Sequence, residues 1–80
     1  MERLPENKVF LKYYFDGEEW EISVLITEDD IKEYYGMPIH KDLFGFIDFD
    51  RLMEQDYGFS AWIRKKYEDD AKLEFQRYSL

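Results

Sequence analysis

The chain of 80 residues contains no cysteine. This absence excludes disulfide bonds and thiolate metal sites, and it is typical of proteins in a reducing compartment. No apolar run approaches the ~20 residues of a membrane-spanning helix. The first residues, MERLPENKVF, lack the apolar run of a secretory signal. We therefore predict a cytoplasmic protein that does not bind membranes.

Residues that support catalysis or cofactor binding are also scarce. The single histidine, His40, follows Pro38 in a segment that resembles a loop, and no serine lies in a nucleophile-elbow context. The four glycines form no phosphate-binding loop. Asp48, Asp50 and Glu54 lack the spacing of a calcium loop. These absences predict a protein that is not an enzyme and that holds no cofactor and no metal.

Aromatic and acidic residues, in contrast, are abundant. Phe, Tyr and Trp make up 20% of the chain, and 45% of the residues are hydrophobic, which favours a folded globule over disorder. A chain of this length forms one domain with one small core. The net charge of −8 disfavours direct binding to nucleic acid or to anionic lipid, since both are polyanions.

Two segments with alternating apolar residues predict a β-hairpin over residues 8–15 and 20–26. The dipeptide Asp16-Gly17 between them suits a two-residue turn, because Gly accepts positive φ. A two-residue loop predicts four pairs on one face and Lys12 opposite Glu21 on the other. The four pairs are Phe15 with Glu18, Tyr13 with Trp20, Leu11 with Ile22 and Val9 with Val24. A four-residue loop, 16–19, would keep the same facing and remains an alternative.

The rest of the chain predicts three helices. Thr27 caps the first, which ends at Gly36. Asp48 or Asp50 caps the second, which runs to about residue 56, and Ser60 caps a last helix over residues 61–78. Residues 39–47 could form a loop, the first turn of a helix, or a short third strand over residues 43–47.

These elements predict an α+β fold: a small antiparallel hairpin packed against three helices, with a three-stranded sheet as the alternative to the hairpin. The whole chain, 1–80, forms a single acidic domain, and residues 1–7 are a polar lead-in.

The last helix carries two apolar stripes. One is assigned to the core and comprises Ile63, Tyr67, Ala71, Phe75 and Tyr78. Trp62 lies on the second stripe and could belong either to the core or to a contact surface. The bases at 64–66 are expected to pair with acids at 68–70 along the helix.

The charge imbalance is concentrated in residues 16–33. This stretch holds eight carboxylates and one base, so it supplies −7 of the net charge of −8. The acids are Asp16, Glu18, Glu19, Glu21, Glu28, Asp29, Asp30 and Glu33. Because the stretch also carries clear folding signals, it predicts an acidic surface fixed on ordered structure.

An acidic surface of this kind predicts binding to a basic protein surface. Phe10 and Tyr14, on the outer face of the hairpin, would add apolar anchors to the contact. The main hypothesis is a small protein-binding module. Its more specific form is an inhibitor, of the phage or mobile-element type, that mimics nucleic acid in a basic groove of a nucleic-acid-processing protein. The alternative is a structural module that forms a homodimer through an edge of the hairpin.

Overall fold

A computed structural model describes residues 7–79 of the chain, so most of the predicted polar lead-in lies outside the described residues. Two antiparallel strands, β1 (Lys8–Phe15) and β2 (Glu18–Leu25), are followed by five helices. The helices are α1 (Glu28–Tyr35), α2 (Lys41–Phe44), α3 (Phe49–Gln55), α4 (Tyr57–Lys66) and α5 (Glu68–Tyr78). The predicted α+β class is confirmed.

The hairpin has the predicted register. Phe15 lies opposite Glu18 and Lys12 lies opposite Glu21, so the loop contains two residues rather than four. Asp16 and Gly17 adopt φ values of 53° and 80°. Positive φ at both central positions is the requirement of a type I′ turn, whose twist matches that of the two strands.

The sheet buries one face and leaves the other in solvent. Val9, Leu11 and Tyr13 on β1 are buried, whereas the residues between them are exposed. Helix α5 covers part of the inner face, where Phe75 packs against Phe15 at 5.3 Å between ring centroids. The helices therefore pack on one side of the sheet, as predicted, and the outer face of the hairpin lies open.

Residues 43–47 form no strand, so the described sheet has two strands. Helix α2 occupies Lys41–Phe44, and the His40 side chain accepts a hydrogen bond from the Asp42 amide at its start. Phe44 and Ile47 are the half-buried apolar residues here, and their spacing of three suits a helical turn rather than alternation along a strand.

The predicted last helix is divided, and its predicted start is wrong. Helix α4 begins at Tyr57 with Asp56 as its cap, because the Phe59 amide donates to Asp56 Oδ1 at 3.0 Å. Ser60 therefore lies inside the helix. The helical path is interrupted at Tyr67, with φ −99° and ψ 6°.

The core stripe predicted for this region is only partly correct. Ile63, Ala71 and Phe75 are buried and Tyr67 is half-buried, but Tyr78 is 76% exposed. Beyond the break at Tyr67, the second half of the stripe continues on α5, and that helix ends with Tyr78 at the surface.

Gly58 lies in the first turn of α4. A Cβ atom at this position would collide with the Tyr34 hydroxyl. Gly58 therefore serves the packing of α1 against α4, where the Tyr34 ring lies 5.3 Å from that of Phe59.

Candidate binding surface

The eight carboxylates of residues 16–33 divide into two groups at opposite ends of β2. The hairpin acids are Asp16, Glu18, Glu19 and Glu21. The helix acids are Glu28, Asp29, Asp30 and Glu33. A strand of eight residues spans roughly 25 Å, so the two groups are well separated.

Asp30 is not a surface residue, although the sequence analysis placed it in the acidic surface. It is 1% exposed. It accepts hydrogen bonds from the Thr27 amide and the Tyr67 hydroxyl, each at 3.0 Å, and from the Lys66 ammonium. In return, its amide donates to the Thr27 hydroxyl, which completes a capping box. Asp30 therefore joins α1 to the α4–α5 junction and cannot contact a partner.

The partners of Asp30 keep it charged inside the protein. Burial by itself would raise the pKa of the Asp30 carboxyl, but hydrogen bonds from Lys66, Thr27 and Tyr67 outweigh burial and hold the pKa below its usual range. Burial would likewise lower the pKa of the Lys66 ammonium. Asp30 and Glu33 reverse that effect and raise the pKa of Lys66.

Glu33 also pairs with Lys66, with its Oε2 atom 3.0 Å from the Nζ atom. The Lys66 ammonium thus forms ion pairs with two of the helix acids, Asp30 and Glu33. The ion-pair ladder predicted between the bases at 64–66 and the acids at 68–70 is absent from residues 7–79. Instead, Lys66 bridges to α1, and Arg64 donates to the Lys12 carbonyl at 2.8 Å.

Trp62 packs against the core rather than standing free in solvent. Its half-buried ring lies 5.5 Å from that of Tyr34, and the Lys66 ammonium lies 4.9 Å from its centroid. These contacts are those expected if Trp62 belongs to the core, which was one of the two alternatives for this residue. A role for Trp62 in partner binding stays a prediction.

The hairpin acids, in contrast, are all exposed. Glu19 forms an ion pair with Lys12 on the outer face, with its Oε1 atom 3.1 Å from the Lys12 Nζ atom. Both side chains are at least half exposed. Asp16, Glu18 and Glu21 make no ion pair with any residue of the 7–79 segment. Most of the charge of this group is therefore available to a partner.

Apolar side chains accompany Glu19 and Glu21 on the outer face. Phe10, Tyr14 and Leu25 are 60%, 70% and 58% exposed. Phe10 and Tyr14 were predicted here. Leu25 was missed as a candidate, although the alternation of β2 places it on the same side as Glu21.

The two edges of the hairpin differ. The Ile26 amide donates to the Asn7 carbonyl, which identifies residues 7 and 26 as a hydrogen-bonded pair. Such pairs alternate along antiparallel strands, so every second residue points its amide and carbonyl away from the other strand. On β2 these outward residues are Glu19, Glu21, Ser23 and Leu25.

On β1 the same alternation points the backbone groups of Lys12 outward. The Arg64 guanidinium donates a hydrogen bond to the Lys12 carbonyl oxygen. Met53 of α3 and Ser60 of α4 lie along this side, across a cleft from Phe10 and Lys12. No side chain or backbone group of residues 7–79 bonds to the outward groups of β2. Among residues 7–79, nothing pairs with the edge of β2, whereas the edge of β1 is partly covered; β2 is called the open edge below.

The described residues hold no cluster of three or more His, Asp or Glu side chains arranged for a metal ion. Within the same residues, no helix combines the length and the apolar character of a transmembrane span. No family model, curated protein or solved structure matches the chain.

Proposed function

We propose that this chain is a non-enzymatic module that binds a basic protein through the outer face of its hairpin. One observation carries the proposal: Phe10, Tyr14 and Leu25 stay largely exposed on the same face as Glu19 and Glu21. Large apolar side chains that share an exposed face with charged groups are typical of protein-binding sites.

The acids on this face favour a basic partner. They would accelerate its association by long-range attraction and exclude acidic competitors, whereas the aromatic side chains would supply contact area. Mimicry of nucleic acid in a basic groove remains part of the hypothesis, and its charge would come from the hairpin acids together with Glu28 and Asp29. Asp30 contributes little to it, since Asp30 is buried and paired with Lys66, and Glu33 shares the same ammonium.

A comparison of two triple variants as bait tests this proposal. The first is Phe10→Ser with Tyr14→Ser and Leu25→Ser. The control, Met37→Ser with Phe46→Ser and Tyr57→Ser, removes exposed apolar side chains elsewhere on the surface. Partners captured from a lysate of the source organism by the wild type should be retained by the control and lost by the hairpin variant.

Ionic strength supplies a second readout, because screening of exposed charges increases between ~0.05 and ~0.5 M salt. Captured partners should be basic and should dissociate at high salt. Retention of the same partners by both triple variants would refute binding through the outer face.

Homodimer formation is the second candidate function, and the open edge of β2 is the observation that favours it. Light scattering coupled to size-exclusion chromatography measures it directly. A monomer at micromolar concentration would remove this candidate.

A further inference from the structure

We infer that the open edge of β2 accepts an extended segment of the basic partner as a third strand. This inference rests on the proposed function and names how the partner binds. It depends on three features of the hairpin: backbone groups that point outward, half-buried apolar residues beside the edge on the inner face, and acids beside it on the outer face.

The backbone supplies the binding groups. Glu19, Glu21, Ser23 and Leu25 each direct one amide and one carbonyl outward, along roughly 20 Å of strand. An extended segment of about seven residues matches that length. Main-chain hydrogen bonds of this kind provide affinity in strand addition, and the flanking side chains provide selectivity.

The inner side of the edge selects apolar residues. Trp20 and Val24 are only half-buried, whereas their partners Tyr13 and Val9 on β1 are buried. A third strand would cover the exposed parts of Trp20 and Val24. Its inward residues should therefore be apolar.

The outer side of the edge selects basic residues. Glu19 and Glu21 would stand beside two of the outer-face residues of the added strand, and opposite charges stabilise such cross-strand neighbours. Glu21 makes no ion pair within the described part of the chain, and Glu19 shares only the exposed Lys12. The ligand is thus a segment in which apolar residues alternate with Lys or Arg.

A second copy of this chain fits the edge less well. Pairing β2 with β2 would bring two sets of hairpin acids, and two molecules of net charge −8, into contact. Like charges in such proximity oppose association. Charge complementarity therefore favours a basic strand over self-pairing.

The probe is a synthetic seven-residue peptide in which valine alternates with lysine, titrated into isotope-labelled protein and followed by NMR. The amides of Glu19, Glu21, Ser23 and Leu25 should shift and should exchange more slowly with solvent. A peptide of the same sequence, N-methylated at the amides that face the edge, should bind at least about tenfold more weakly, because it lacks the donors.

Ser23→Pro tests the edge from the protein side. The Ser23 amide points away from β1, so proline removes an outward donor and leaves the bonds between β1 and β2 intact. Ser23→Ala is the matched control. The proline variant should bind the peptide at least about tenfold more weakly than the wild type, and the alanine variant should bind it as the wild type does. The amide spectrum verifies that both variants stay folded.

The outcomes separate this inference from the proposed function. If the outer-face triple variant loses its partners while Ser23→Pro and N-methylation change nothing, the module binds by side chains and strand addition is refuted. If the wild type forms dimers that Ser23→Pro dissociates, the edge belongs to a second copy and the inference is refuted. Loss of binding in all three arms, with the alanine control unaffected, supports it.

Discussion

The hairpin acids and the helix acids contain the same residue types, four in each group, but the fold uses them differently. Asp30 is buried and Glu33 is paired, and both connect to Lys66 across the domain. The hairpin acids are exposed, and Glu19 alone among them has an ion-pair partner in the 7–79 segment. Local charge density therefore does not reveal whether an acid stabilises the fold or remains available for binding. The distinction depends on which base the tertiary structure brings nearby.

The largest effect is expected from Asp30→Ala. This change removes the acceptor for Thr27, Lys66 and Tyr67 at once, so the free energy of unfolding should fall by about 3 kcal/mol. For a domain of this size the melting temperature should drop by roughly 15 °C. Urea denaturation measures the first quantity and calorimetry the second.

Asp29→Ala is the control for that experiment, because Asp29 occupies the same helical turn but is exposed. It should change the free energy of unfolding by no more than about 0.5 kcal/mol, through the helix dipole alone. Equal losses in the two variants would show that Asp30 acts only as another first-turn acid.

Lys66→Met should have the next largest effect. The apolar stem is kept, but Asp30 loses its counter-ion inside the protein and Glu33 loses its partner. The expected loss is about 2 kcal/mol, reduced because the Lys66 side chain is itself partly exposed. Lys65→Met, one residue away, serves as the control in the same urea experiment. If Lys66→Met is as stable as the wild type, the ion pairs of Lys66 with Asp30 and Glu33 do not stabilise the fold.

The pH dependence of stability should identify the same pair. The pKa of Asp30 is lowered in the folded state, so its contribution is present above the unfolded pKa of ~3.9 and is lost as pH falls through the folded value. The pKa of Lys66 is raised, so its contribution is complete below the unfolded pKa of ~10.4 and is lost as pH rises through the folded value.

Asp30→Asn should therefore be less stable than the wild type at neutral pH, and the two curves should converge as the pH drops below ~4. Chemical denaturation between pH 2 and pH 7 measures this. Parallel curves would mean that Asp30 does not titrate differently in the two states.

The smallest effect is expected from Glu18→Gln. Glu18 is exposed and has no ion-pair partner in the described residues, so stability should change by less than about 0.5 kcal/mol. Association with a basic partner should nevertheless slow measurably at low salt. Stopped-flow or surface-plasmon measurements of the association rate would detect this. A change in stability without a change in association rate would mean that Glu18 acts like the helix acids that pair with Lys66, which contradicts the account.

The elements set by short-range rules could be predicted from the sequence. The register of the hairpin depends on the alternation of apolar residues and on the Asp16-Gly17 turn. The start of α1 depends on Thr27, whose hydroxyl caps an amide of the first turn. Each of these features is determined within a few residues of the chain, and the structure has all of them.

The features that depend on distant residues could not be predicted. Asp30 reads as a first-turn acid, and only the approach of Lys66, 36 residues away, makes its burial tolerable. The interruption at Tyr67 involves neither Pro nor Gly, and the Tyr67 hydroxyl reaches the same carboxylate. Likewise, the Arg64 contact that partly covers β1 joins residues 52 positions apart. The open edge of β2 can therefore be identified only when the tertiary structure shows that Arg64 covers the edge of β1 instead.

The most direct test compares two double variants that each remove two negative charges. One is Asp30→Asn with Glu33→Gln, and the other is Glu19→Gln with Glu21→Gln. Urea denaturation at neutral pH should show the helix pair about 3 kcal/mol less stable than the wild type and the hairpin pair within about 0.5 kcal/mol of it. Equal losses, or a larger loss for the hairpin pair, would contradict the division of the acids into those that stabilise the fold and those that remain exposed without contributing to stability.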